Sequence, residues 1–193
     1  MILTISGNPG SGKSTVAKIL AEKLKAEMIY VGGMRREIAR KKKMSLMELN
    51  EYAKTHPETD VEVDKFVAEE ARKLELKGKK VIVEGRAQFH FLPESVKIYV
   101  VVNPKIGAER IWKDLQETAK SAERNEGKFS SLKEVEKEIL LREENDAKRF
   151  QKYYGFDQRK KENYDLIVDS SKITAAEVAE KILLFVKQRG WKV

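Results

Sequence analysis

The 193-residue chain contains no cysteine and only two histidines, His56 and His90. Without thiols there is no disulfide and no thiolate metal site. Two histidines so far apart in sequence do not suggest an imidazole-based metal centre. No stretch approaches the ~20 consecutive apolar residues that span a bilayer. The apolar run at the start is short and soon meets Gly7, far less than a secretory signal requires. These absences lead us to expect a cytoplasmic protein with no membrane partner. There is no internal repeat and no low-complexity linker, and the length suits one domain with a real core.

Positive charge is in excess. Lysine and arginine total 39 against 31 for aspartate and glutamate, a formal net charge of +8. Such a field attracts nucleotides, nucleic acid or anionic lipid. It equally serves a lysine- and glutamate-rich solvated surface.

Hydrophobic periodicity predicts an alternating α/β order. Short β-branched or apolar runs at 2–6, 28–31, 80–85 and 97–102, and a fifth in "YDLIVDSS", read as strands. Helical patterns fall at 13–26, about 33–43, 45–54, 60–76, about 104–122, about 131–153 and 174–188. Ser45 followed by Glu48 is a capping box. The polar stretch 121–131 reads as a loop. Five apolar strands with intervening helices imply a parallel sheet covered on both faces.

The most informative stretch is "ISGNPGSGKSTVAKIL", residues 5–20. Gly7, Asn8, Pro9, Gly10, Ser11, Gly12, Lys13 and Ser14 satisfy G-x-x-x-x-G-K-[ST] between a predicted strand and a predicted helix. Glycines let the main chain approach a ligand closely, and the loop N–H groups then point at phosphate oxygens. The helix start adds its positive dipole end. Lys13 would meet the β and γ phosphates, and Ser14 would place its hydroxyl on Mg²⁺ with Thr15 beside it. The reading is a nucleoside triphosphate site, with ATP and Mg²⁺ as the expected donor and metal.

A small phosphate-loop protein needs an acceptor pocket, and an anionic acceptor needs fixed cations. Arginine fits, because its planar fork grips phosphate oxygens in pairs. Arg86 directly follows the third apolar run, at the carboxyl end of a strand, where ligands gather in open α/β sheets. Glu84, two residues earlier, could hold a magnesium-bound water. Arg36 follows the second strand in "VGGMRREIA"; its plainer reading is a solvated helix face.

These motifs together make the chain resemble the nucleoside monophosphate kinases, and within them the archaeal-type cytidylate kinases. The resemblance covers nearly the whole sequence through "ISGNPGSGKSTVAKILAEKL", "GGMRREIA", "MSLMELNEYAKTHPETDVEVD", "VIVEGR", "AER" at 108–110, "REENDAKRFQKYYGFD" and "YDLIVDSSK". It implies a single P-loop kinase domain over 1–193, of the three-layer α/β class with a five-stranded parallel sheet. Residues 33–76 would form a helical subdomain that binds the nucleoside monophosphate, and about 113–150 a lid. By the same resemblance Arg36 and Arg86 match acceptor-phosphate arginines. Asp60 and Asp64 match acidic positions in that pocket and would help select the base. Arg110 matches a residue near the donor adenine.

Arg142, Asp146 and Arg149 are spaced four and three apart, so they share one helical face. The resemblance makes Arg142 and Arg149 lid arginines that close over the triphosphate, with Asp146 holding their guanidinium groups. With Lys13 and Arg86 they would be the catalytic groups. The chain departs from the family pattern at Asp114, near where a further arginine is usual. It departs again in the extra residues through "TAKSAERNEGKFSS" and in "AQFHF" after Arg86. Arg124 is the candidate to replace the absent charge.

The expected reaction is transfer of the γ-phosphoryl group of ATP to a nucleoside monophosphate, CMP or dCMP, by a monomer acting on small nucleotides. An adenylate kinase or another small-metabolite kinase uses the same loop. A nucleotide-dependent RNA or ribonucleoprotein assembly factor is a further alternative suggested by "RREIARKKK". No aromatic-studded basic strand favours nucleic acid.

Overall fold

A computed structural model describes residues 1–126 and 129–191. The chain alternates β1 (Ile2–Gly7), α1 (Lys13–Leu24), β2 (Glu27–Tyr30), α2 (Val31–Lys41), α3 (Leu46–Tyr52), α4 (Glu58–Leu76) and β3 (Val81–Glu84). It continues through α5 (Gln88–Phe91), β4 (Val96–Val101), α6 (Pro104–Gln116), α7 (Thr118–Arg124), α8 (Leu132–Tyr154), β5 (Leu166–Asp169) and α9 (Ala175–Gln188). The five strands form one parallel sheet in the order β2-β3-β1-β4-β5. This is the expected P-loop three-layer α/β architecture.

Side chains alternate across a strand, so β1 feeds both faces of the sheet. Leu3 and Ile5 join Ile82, Ile98 and Val100 against Val16 and Leu20 of α1 and Val178, Ile182 and Val186 of α9. Ile2, Val81 and Val83 face the other way, onto Val67 and Ala71 of α4 and Leu92. Two smaller apolar clusters lie off the sheet. One holds α6 to α8 through Ala108, Ile111, Val135 and Ile139. The other joins α2 to α3 through Ala39, Leu46 and Leu49. The central strand therefore ends in Gly7 between two covered faces, and its carboxyl end is open for a ligand.

The capping box is present: Glu48 N–H donates to Ser45 Oγ, and the Glu48 carboxylate accepts from Ser45 N–H at 2.6 Å. A second one, Thr174 with Glu177, opens α9. Four expectations need correction. The helix expected over 104–122 breaks at Glu117, whose extended backbone (φ −95°, ψ 117°) separates α6 from α7. Helix therefore continues to Arg124 within the stretch read as a loop from 121; residues 127 and 128 of that stretch lie outside the described residues. The short helix α5 and a 3₁₀ turn at Lys161–Asn163 had no periodic signal, being only one turn long. Val31 opens α2 rather than closing β2, because it turns into the cluster under α4. No described helix is long and apolar enough to cross a membrane.

Candidate active site

The phosphate loop is held in shape by its neighbours in the fold. Gly10 and Gly12 adopt φ of +76° and +80°, the left-handed region that glycine enters without penalty. A Cβ on Gly10 would lie 2.3 Å from the Gly107 carbonyl oxygen, so α6 packs directly on the loop through facing glycines. Asn8 latches the loop to the end of β4: its Nδ2 donates to the Val102 carbonyl at 2.8 Å, and its Oδ1 accepts from the Val102 N–H at 3.0 Å. Ser170, just past β5, donates through Oγ to the Ser11 carbonyl at 2.9 Å. Arg110 donates to the carbonyls of both Gly10 and Ser170, at 3.3 and 2.7 Å.

Two cavities open on this end of the sheet. An outer cavity lies between the loop, α6 and α7, and an inner one lies between α2, α4 and α8. They share Lys13, Ser14, Tyr30, Arg36, Arg86 and Arg142 as a common divide. Pro9, Gly10, Gly12, Lys13, Ser14, Thr15 and Arg110 line the outer cavity, whereas Gly7, Asn8 and Ser11 brace the loop from behind.

Burial dominates the electrostatics of the divide. It lowers the Lys13 pKa to about 8; Glu84 opposes this, and Arg86, Arg142 and Arg36 add to it. Burial raises the Glu84 pKa despite Lys13, Arg36 and Arg86 nearby. The nearby Ser14 hydroxyl also works to lower the Glu84 pKa, and Glu84 Oε2 is buried with no hydrogen-bond partner. Hydroxyl and carboxylate oxygens beside a phosphate loop suit Mg²⁺, which keeps most of its water and takes few protein ligands. Among the described residues no group of three or more His, Cys, Asp or Glu side chains is placed to hold a metal ion.

A chain of alternating charges crosses the inner cavity. Arg35 of α2 pairs with Asp60 of α4; Asp60 pairs with Arg149 of α8. Arg149 donates to Asp146 at 2.7 Å, and Asp146 pairs in turn with Arg86. Beside it, Asp64 accepts from Gln88 Nε2 at 2.7 Å and from Tyr154 O–H at 2.8 Å. Burial raises the Asp64 pKa to about 6 against those two donors, Arg35 and Arg149.

Every arginine proposed from the sequence therefore lies in or beside these cavities, with two changes of partner. Arg149 lines the inner cavity alone, drawn there by Asp60 and Asp146, while Arg142 faces both. Asp146 joins Arg149 to Arg86 rather than to Arg142. Arg142 instead donates to Glu126 at 2.6 Å. Arg124 lines the outer cavity, but its guanidinium is gripped by Asp114 through Nε (3.0 Å) and Nη2 (2.7 Å). Sequence reasoning missed Arg35, Gly107, Glu126 and Ser170. The Arg35-Arg36 doublet was a signal for the first; the others have meaning only through segments distant in the chain.

A family model described as an AAA domain matches residues 3–131. Cytidylate kinase from Archaeoglobus fulgidus is 37% identical over the whole of this chain and 98% of its own length. Cytidylate kinase from Ignicoccus hospitalis is 39% identical over 94% of this chain and 96% of its own. Among solved structures, shikimate kinase from Acinetobacter baumannii superposes with a TM-score of 0.55 at 19% identity, over 99% of this chain and 95% of that one. At that identity the likeness concerns the fold.

Proposed function

Because the chain belongs to the archaeal-type cytidylate kinases, a family of nucleoside monophosphate kinases, we propose that it transfers the γ-phosphoryl group of ATP to CMP or dCMP. The bond between the γ phosphorus and the β–γ bridging oxygen breaks. A bond forms to an oxygen of the acceptor phosphate, giving ADP and the nucleoside diphosphate. The observation that carries this reading is the shared divide: two cavities meet across Lys13, Arg36, Arg86 and Arg142. A phosphoryl group passing between two anionic nucleotides needs cations at that place.

In this reading the phosphate loop and Lys13 hold the triphosphate in the outer cavity, with Arg110 beside the adenosine end. Ser14 and Glu84 would hold Mg²⁺, which supplies charge neutralisation at the phosphates. Arg36 and Arg86 grip the acceptor phosphate, and Arg142 reaches the transferring group from the α8 side. Arg149 positions Asp60 and Asp146, and through Asp146 it aims Arg86. Asp64, held by Gln88 and Tyr154, faces the base; Asp60 is occupied by Arg35 and Arg149. Residues 33–76 act as the acceptor subdomain, supported by the cluster of Ala39, Leu46 and Leu49, and about 113–150 as the lid, whose Val135 and Ile139 pack on Ala108 and Ile111 before it.

No general base is required. A phosphate monoester has its second pKa near ~6, so the acceptor is already largely dianionic at neutral pH. Positioning and charge stabilisation supply the rate. Steady-state turnover of CMP, dCMP, UMP and AMP with ATP and Mg²⁺ tests the proposal. The expected order places CMP or dCMP first; an enzyme faster on AMP refutes the base assignment.

A further inference from the structure

The reaction as proposed has no use for one carboxylate on which several guanidinium groups converge. Glu126 lies two residues beyond α7, at the wall of the outer cavity, with its side chain 11% exposed. Its Oε2 accepts from Arg142 Nη1 at 2.6 Å. Its Oε1 accepts from Arg36 Nη2 at 3.4 Å and lies 3.8 Å from Arg124 Nη1. Arg86 also feels its charge. The Arg124 carbonyl, in the same segment, accepts from Arg36 Nε at 2.8 Å. Burial pushes the Glu126 pKa up, but Arg142, Arg36 and Arg124 outweigh it and hold the carboxyl below its ordinary value.

Arg36 and Arg142 are two of the cations in the divide between the cavities. A carboxylate offers two oxygens to their planar forks much as a phosphate does. If these arginines are to grip phosphoryl oxygens, the carboxylate must give way, because a guanidinium edge cannot serve both anions at full strength.

We propose that Glu126 is an internal stand-in for phosphate: with no nucleotide bound it fills the anion subsite between Arg36 and Arg142, and arriving phosphate oxygens displace it. The stand-in offsets the repulsion between these like charges and sets Asn125 and Glu126, directly after α7, against the divide. It also competes with the nucleotide, so affinity is traded for a preassembled cationic site. The proposal rests on the reading of Arg36 and Arg142 as phosphate ligands.

The test is calorimetric titration of the protein with inorganic tripolyphosphate, which needs no acceptor and no turnover. Glu126→Gln keeps the shape and removes the charge. It is expected to bind tripolyphosphate about tenfold more tightly than the unsubstituted protein, with the shorter Glu126→Asp in between. Equal or weaker binding by Glu126→Gln overturns the proposal. Arg142→Ala separates this from the underlying reading. If it weakens tripolyphosphate binding while Glu126→Gln has no effect, the stand-in role alone falls. If Arg142→Ala also has no effect, both fall. Thermal melting covers the case in which Glu126→Gln is unstable. A rise in midpoint with millimolar tripolyphosphate larger than that of the unsubstituted protein supports the displacement; an equal or smaller rise, or a variant that stays unfolded with or without the anion, overturns it.

Discussion

Asp146 holds Arg86 and Arg149 on its two carboxylate oxygens, so a residue of the long helix α8 aims the arginine that follows β3. Removing either arginine should therefore have different consequences. Arg149 is 5% exposed and also pairs with Asp60. Arg149→Ala would leave two buried carboxylates short of a partner, a loss of about 3–5 kcal/mol. Urea unfolding is expected to show that loss directly, and wild-type stability would make the pairing energetically idle.

Arg86→Ala should act on the acceptor instead. The expected result is a raised KM for the monophosphate and turnover lowered at least about 100-fold, with ATP affinity largely kept. Acceptor kinetics that do not change would move the acceptor away from the inner cavity.

Lys13 tests the proposed donor site. Its charge is destabilised by burial, with a pKa of about 8. The sign follows: a lysine with a lowered folded-state pKa weakens the fold below about pH 8, and that penalty fades between 8 and 10.5. Lys13→Met should thus cut kcat by roughly 10²–10³ without lowering the melting temperature at pH 7. Turnover at the wild-type rate would remove Lys13 from the donor site.

Asp64 gives a pH signature. Its folded-state pKa of about 6 lies above the ordinary 3.8, so the folded protein holds the proton more tightly than the unfolded chain. Stability from this group is present below about pH 4 and falls as pH rises to about 6. The full effect is on the order of 3 kcal/mol at ~1.36 kcal/mol per pH unit. Asp64→Asn should flatten that part of the stability–pH curve, measured by denaturant unfolding from pH 4 to 7. Parallel curves for the two proteins would contradict it.

Gly107 tests the packing of α6 on the loop. A Cβ there would lie 2.7 Å from the Pro9 carbonyl oxygen. Gly107→Ala should displace the loop, destabilise by about 1–3 kcal/mol and raise the KM for ATP more than that for the monophosphate. An unchanged ATP KM would show that the loop absorbs the methyl group.

Local chemistry made much of this legible in the sequence. The phosphate loop is contiguous, so its glycines, Lys13 and Ser14 declare a cradle of N–H groups wherever the chain goes next. The β-branched runs declared all five strands, and the spacing of Arg142, Asp146 and Arg149 declared their common face. Boundaries that depend on one turn, such as α5, or on a single extended residue, such as Glu117, left no periodic trace.

Partnership is what only the tertiary structure decided. Arg35 and Arg36 are neighbours in sequence, yet 100° apart around a helix. One meets Asp60, and the other meets Tyr30 and Glu126. Gly107 matters because α6 lands on Gly10, and Ser170 because β5 ends beside Ser11. Residue type sets which charges and hydrogen bonds are available; the packing of distant helices on one sheet sets which of them face each other, and the candidate site consists of those encounters.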